Sequence, residues 1–195
     1  MSHEVSLAEF EGPLTELRQQ CSGGNGRARF EEFKLWLKKV SGLLKLVSTV
    51  TVSAVKKFVA VDNFKVGNAG ITWMSDNFKT NFLGKIEKNV KGATLLAHRL
   101  EKSSLDKDIR DELGSDKEET TLAYLFELLS RQSDGKSGVL LTNSDANIFY
   151  VRDANGNFWA VNAIWNSMDR GWSLNAYSVT GPGGWLGGGR VFSRK

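Results

Sequence analysis

Cys21 and His98 are a thiol and an imidazole that could in principle act as nucleophile and base. Such a pair needs a thiolate held near its base or near a helix N-terminus, with a third group to orient the base. Cys21 runs directly into Ser22-Gly23-Gly24-Asn25-Gly26, a glycine-rich turn that leaves the thiol unheld, so a semi-exposed structural thiol is the better reading. A serine triad would also have to draw on His98, and no Gly-x-Ser-x-Gly turn occurs. The run His98-Arg99-Leu100-Glu101-Lys102 offers one base and nearby cations to a phosphodiester, but no second histidine beside it. One cysteine and two histidines also exclude a cysteine-based zinc or iron–sulfur site and a multi-histidine metal centre. The acidic pairs Asp106/Asp108 and Asp111/Glu112 lack calcium-loop spacing and alternate with Lys107 and Arg110, as on a solvated helix face. No metal and no cofactor is expected.

The most unusual local feature lies near the C-terminus. Gly181-Pro182-Gly183-Gly184-Trp185-Leu186-Gly187-Gly188-Gly189-Arg190 places six glycines around one tryptophan. Such a run permits close backbone approach to a ligand, with Arg190 beside it. No Gly-Lys-Ser/Thr follows, so it is not a P-loop, and no βαβ unit surrounds it. The same region concentrates aromatic residues, among them Trp159, Trp165, Trp172 and Trp185. Core packing accounts for most of them, and a sheet-borne recognition surface accounts for the rest. Trp165, Trp172, Trp185 and Arg190 are the expected partner- or ligand-binding residues.

Charge is distributed unevenly. Residues 1–26 carry one basic and four acidic side chains, and residues 27–102 carry fifteen basic and six acidic. Residues 103–136 return to excess acid, five against nine, and residues 137–195 hold five against three, for a net charge of +4. The basic block can neutralise the acidic one or meet a polyanion. Lys34, Lys38, Lys39, Lys56, Lys57, Lys79, Lys85, Lys88 and Lys91 are the candidate phosphate contacts if the partner is a nucleic acid.

These residues must be positioned by elements that the hydrophobic pattern suggests. Leu7, Phe10, Leu14 and Leu17 predict a short acidic helix in an N-terminal arm, residues 1–26, closed by the glycine-rich linker. Phe30, Phe33, Leu37, Val40, Leu44 and Val47 keep an a/d repeat that continues through Thr51, Ala54, Phe58 and Val61. It predicts two helices broken near 48–51, with a strand at 49–55 as the alternative. Met74, Phe78, Phe82 and Ile86 predict a helix capped by Thr72 or Ser75. Residues 93–100 fit a strand or a short helix. A helix from Ser104 to Gly114 and another over 116–132, opened by the capping box Ser115-Asp116-Lys117-Glu118, follow. Beyond Gly135 the period becomes two: strands at Val139–Leu141, 148–152, 158–164, 172–179 and 190–193, with Asn155-Gly156 as a hairpin turn.

The expected architecture is α+β, an N-terminal helical region packed on a C-terminal antiparallel β-meander of four or five strands. Residues 27–195 would be one domain, mainly helical over 27–136 and sheet over 137–195. Met1–Phe10 has no apolar core and the longest uncharged valine-rich stretch, 46–55, is far short of the roughly 20 residues of a membrane span. A cytoplasmic address follows as an expectation. The function expected is a non-catalytic module that binds a protein or small ligand. The alternatives are nucleic-acid binding through residues 27–102 and an enzyme of unfamiliar constellation. The oligomeric state is open.

Overall fold

A computed structural model describes the backbone of residues 7–40 and 42–195, with side chains for 11–34 and 42–195. Leu7, Phe10, Leu37 and Val40 of the expected helical stripes, and the side chains of Lys38 and Lys39, therefore lie outside the described side chains. The chain divides into two compact units, Met1–Gly42 and Leu43–Lys195.

The first unit holds α1 (Leu7–Cys21) and α2 (Gly26–Val40), which pack against each other. The turn between them needs glycine at 26, because a Cβ there would lie 1.8 Å from the carbonyl oxygen of Cys21.

The second unit is α+β. In chain order it contains β1 (Leu44–Val52), β2 (Val55–Val59), α3 (Ala60–Asn63), β3 (Ile71–Met74), α4 (Asp76–Phe82), β4 (Ile86–Val90), β5 (Ala93–Leu100), β6 (Ser104–Leu105), α5 (Asp106–Leu113) and α6 (Leu122–Arg131). Then come β7 (Asn147–Arg152), β8 (Phe158–Asn166), β9 (Gly171–Ser178), β10 (Gly184–Trp185) and β11 (Arg190–Arg194). Seven strands form one mixed sheet in the order β1-β5-β11-β7-β8-β9-β3, while β2 pairs with β4 and β10 with β6.

This overturns the expected helical region packed on a simple antiparallel meander. Two strands from the supposedly helical half, β1 and β5, form one flank of the sheet, and β3 closes the other. The β11–β7 and β3–β9 pairs are parallel. The heptad-like stripe fails after Val40 because Val47, Thr49, Val50, Thr51 and Val52 are β-branched, stiff at χ1 and suited to a pleated surface. They pair with β5 from Leu44↔Leu100 to Val52↔Ala93, around one irregularity between Leu46 and Ser48. Phe58, read as a helix position, is instead the buried residue of β2.

The remaining corrections have local causes. The capping box does not open a helix at 116, because Glu118 is held by Arg110 through bonds of 2.8 and 3.0 Å. Thr120 N–H instead donates to Tyr150 O at 2.8 Å, and α6 starts only after Thr121, whose hydroxyl accepts from Tyr124 N–H. Val139–Leu141 forms no strand. Side-chain amides satisfy its backbone in place of a neighbouring strand: Gln132 exchanges bonds with Leu140 at 2.8 and 3.1 Å, and Asn147 with Leu141 at 2.7 and 3.0 Å. Ile86 is an exposed strand residue and not the end of α4, which Ser75 caps as expected.

The sheet has two unequal faces. One buries the principal core: Leu95, Phe149, Val161, Trp172 and Leu174 meet Leu122, Leu125, Leu128 and Leu129 of α6 and a ring cluster around Phe64. The other carries a smaller core in which Ile109 and Leu113 of α5 cover Leu100, Ile148, Tyr150, Ala160 and Val191. The part of this second face over β8 and β9 is where the candidate site lies.

Candidate functional site

The connection from β9 to β11 builds the site. These strands run parallel, since each is parallel to β7 by its pairings, so the chain must return along a sheet face to start β11. It does so across β8 and β7 on the second face, using the glycine-rich run. The run is not a free loop. Gly184 and Trp185 pair with Leu105 and Ser104, and Gly188 N–H donates to Leu100 O at 2.7 Å. Gly188 has φ +101, and a Cβ there would press on the Asp145 carboxylate at 3.3 Å. Small size and a left-handed backbone are both required at that position.

Between this crossover and the sheet lies a cleft of about 470 Å³. Its floor is Asn162 and Ile164 of β8 with Tyr177 of β9, its near wall is Ser144–Ala146, and its roof is Gly181–Leu186; Asp106 closes one end. The wall is tied to β11 by the Arg190 backbone N–H, which donates to Ala146 O at 2.8 Å, while the Arg190 Nη1 donates to Val139 O at 2.8 Å. Tyr177 and Trp185 meet edge to face at 5.8 Å.

Two polar groups distinguish the cleft. Asp106, the first residue of α5, is 5 % exposed and accepts from Tyr150 Oη at 2.8 Å and Trp185 Nε1 at 2.7 Å, both on Oδ1. Burial pushes its carboxyl above the usual Asp range, against the hydrogen bonds of Trp185 and Tyr150 and the Arg110 cation. The Tyr150 hydroxyl is itself driven far up, by burial first and then by Asp106, so it stays protonated and donates. Asn162 is 2 % exposed, and its Oδ1 has no hydrogen-bond partner among the described residues. A wider hollow of about 660 Å³ beside β3, near Trp73 and Arg170, contains none of the unpartnered buried atoms.

The structure separates the residues picked from sequence. Trp185 lines the cleft, half-buried, and Arg190 adjoins it, following the lining residue Gly189. Trp165 and Trp172 belong to the principal core on the opposite face, edge to face at 5.1 Å, and Trp172 Nε1 donates to Gln132 O. Asp106, Asp145, Asn162 and Tyr177 are not among the binding residues expected from sequence. Asp106 was hidden among ordinary helix-face acids, and Asn162 showed only as a polar position in an otherwise apolar strand.

The lysines are dispersed. Lys34 pairs with Glu31, Lys79 with Asp76, and Lys85 with Glu87 at 3.1 Å. Lys56, Lys57, Lys88 and Lys91 make no ion pair among the described residues, and Lys57 lies directly opposite Lys88 on the β2–β4 ladder. His98 lies on the sheet with Nε2 3.1 Å from Ser193 Oγ, and burial lowers its pKa although Glu112 opposes this. Cys21 is half-exposed at the end of α1, in the other unit.

Compared with protein-family models, curated proteins and solved structures, the chain matches none. Among the described residues no group of three or more His, Cys, Asp or Glu could hold a metal ion, and no helix is long and apolar enough to cross a membrane.

Proposed function

We propose that residues 43–195 are a non-catalytic binding module that seats a small ligand under the glycine-rich crossover. The observation that carries this reading is the buried amide of Asn162 on the cleft floor, with its Oδ1 unpartnered. Buried polar atoms nearly always find partners, and one left without on the lining of a ligand-sized cleft calls for a partner from outside. Apolar walls with a few convergent polar groups are the usual make-up of such sites. The non-catalytic reading rests on the absence of a thiol or imidazole from the cleft lining: His98, the histidine among the described residues, is not part of it. A cytoplasmic setting, in which a lone thiol such as Cys21 stays reduced, belongs to the same proposal.

Saturation-transfer NMR on pooled metabolites tests it. Compounds that bind the natural protein should lose binding to Asn162→Leu, which keeps the side-chain size but removes the amide, while its thermal melt remains cooperative. Hits that bind both proteins equally would refute the cleft as the site.

Nucleic-acid binding is the second reading, favoured by one observation. Like charges directly opposite on a ladder repel, and neither Lys57 nor Lys88 makes an ion pair among the described residues. A phosphate would relieve that repulsion.

A further inference from the structure

The groups left free in the cleft determine what a ligand must bring. Two carboxylates, Asp106 and Asp145, line it, and no lysine or arginine does. Asp106 uses only Oδ1 for its two internal bonds, so Oδ2 remains available. Two polar groups at the cleft are already engaged: Trp185 Nε1 is bonded to Asp106, and the Ser178 hydroxyl pairs with that of Thr180 at 2.9 Å. Arg110, the nearest cation to Asp106, is committed to Glu118 through both ends of its guanidinium and stacks on Phe158 at 4.5 Å. The Asp106 carboxylate therefore has two hydrogen bonds but no ion pair among the described residues, and Arg110 acts on it only across space. The Asn162 amide on the floor adds the unpartnered Oδ1 as a further acceptor.

We infer that the cleft takes an organic cation, a primary amine or guanidinium head seated against Asp106 and Asp145 with the rings of Tyr177 and Trp185 alongside. This rests on the cleft being the ligand site and specifies the ligand's chemistry. An anion would meet two acids with no cation to receive it. A neutral polyol would bring donors but would leave the buried carboxylate without a countercharge, which is the costly state for such a group. A cation supplies donors and charge together, and aromatic faces add attraction that neutral ligands do not gain.

Protonation gives a signature. Asp106 is faced by Arg110 and, behind it, Glu118, by Tyr150 from β7 and by Trp185, with Asp145 on the same cleft. A cation binds the ionised form, so affinity should fall as pH drops through a value above the ordinary Asp range, before free carboxylates titrate.

Isothermal titration of the full chain with agmatine, 1,4-butanediol and glucose decides the matter. Expected are saturable one-to-one binding of agmatine, none of the neutral compounds, and at least a tenfold loss in Asp106→Asn and in Asp145→Asn, both folded by thermal melt. The agmatine affinity should also weaken toward pH 4.5. Absence of agmatine binding at millimolar concentration, or binding unchanged in Asp106→Asn, would overturn the inference. If glucose binds instead and Asn162→Leu abolishes it, the cleft remains the ligand site and only the cationic chemistry is wrong. If no probe binds and screening hits ignore Asn162→Leu, both readings fail.

Discussion

At the scale of single residues, Asp106 links the stability of the fold to its site. Burial raises its pKa in the folded state above the unfolded one, so the stability this group contributes is full below the ordinary Asp range. It is lost as pH rises through the raised value. Asp106→Asn keeps an acceptor for Trp185 and Tyr150 but cannot ionise. Urea midpoints at constant ionic strength should therefore coincide with the natural protein well below the ordinary Asp range, at about pH 3 or lower, and exceed it at pH 7. A variant less stable at pH 7 would show that the carboxylate's charge is net stabilising through Arg110. Trp185 is a different case, because its ring sits half-buried at the edge of the smaller core and its indole bond ends on Asp106. Trp185→Ala should weaken ligand binding by about 2 kcal/mol or more if it is a hot spot, with a smaller loss of stability. A large fall in melting temperature with unchanged affinity would make it a core residue only.

At the scale of elements, α6 is where sequence and structure agree best, and its surroundings show where they part. Its apolar face was evident from spacing, and Leu125 is fully buried, so Leu125→Ala should cost roughly 2–5 kcal/mol in a denaturant titration. A loss near zero would mean the face is not packed. Its N-terminal capping was not evident, since the second partner comes from β4. Glu87, 8 % exposed, accepts from Leu122 N–H at 3.0 Å and Ala123 N–H at 2.9 Å while paired to Lys85. Glu87→Ala strands both amides and takes the ion pair from Lys85, whose ammonium keeps only its bond to Arg152 O, and about 3 kcal/mol should be lost; a change within 0.5 kcal/mol, read by the same titration, would contradict that. The hairpin at Asp153–Asn157 was legible because its turn is local: Asp153 accepts from the N–H groups of Asn155 and Asn157, both at 2.8 Å. The strand β1 was not, because its apolar residues also satisfy a helical repeat and only pairing with β5, some fifty positions away, decides between the two. The same holds for the site. Trp185 and its glycines were visible as a local oddity, whereas Asp106 and Asn162 gain meaning only when α5 and β8 meet under the crossover.

At the scale of the whole molecule, charge and topology make separate predictions. The like-charged Lys57–Lys88 pair on the β2–β4 ladder is the sharpest test of polyanion binding. If single-stranded oligonucleotides bind there, Lys57→Ala with Lys88→Ala should lower the slope of log affinity against log salt by about 1 or more; an unchanged slope in fluorescence anisotropy would place the contacts elsewhere. Topology makes the stronger claim, because a parallel return from β9 to β11 obliges the chain to roof one face of the sheet, and that roof encloses the cleft. The most direct measurement is a two-dimensional NMR spectrum of the indole N–H groups during titration with agmatine, with Trp185 assigned by Trp185→Phe. The Trp185 resonance should move and saturate, while that of Trp172, bonded to Gln132 O in the core of the opposite face, stays in place. A Trp185 signal that does not move, or one that moves no more than Trp172, would contradict the placement of a ligand under the crossover.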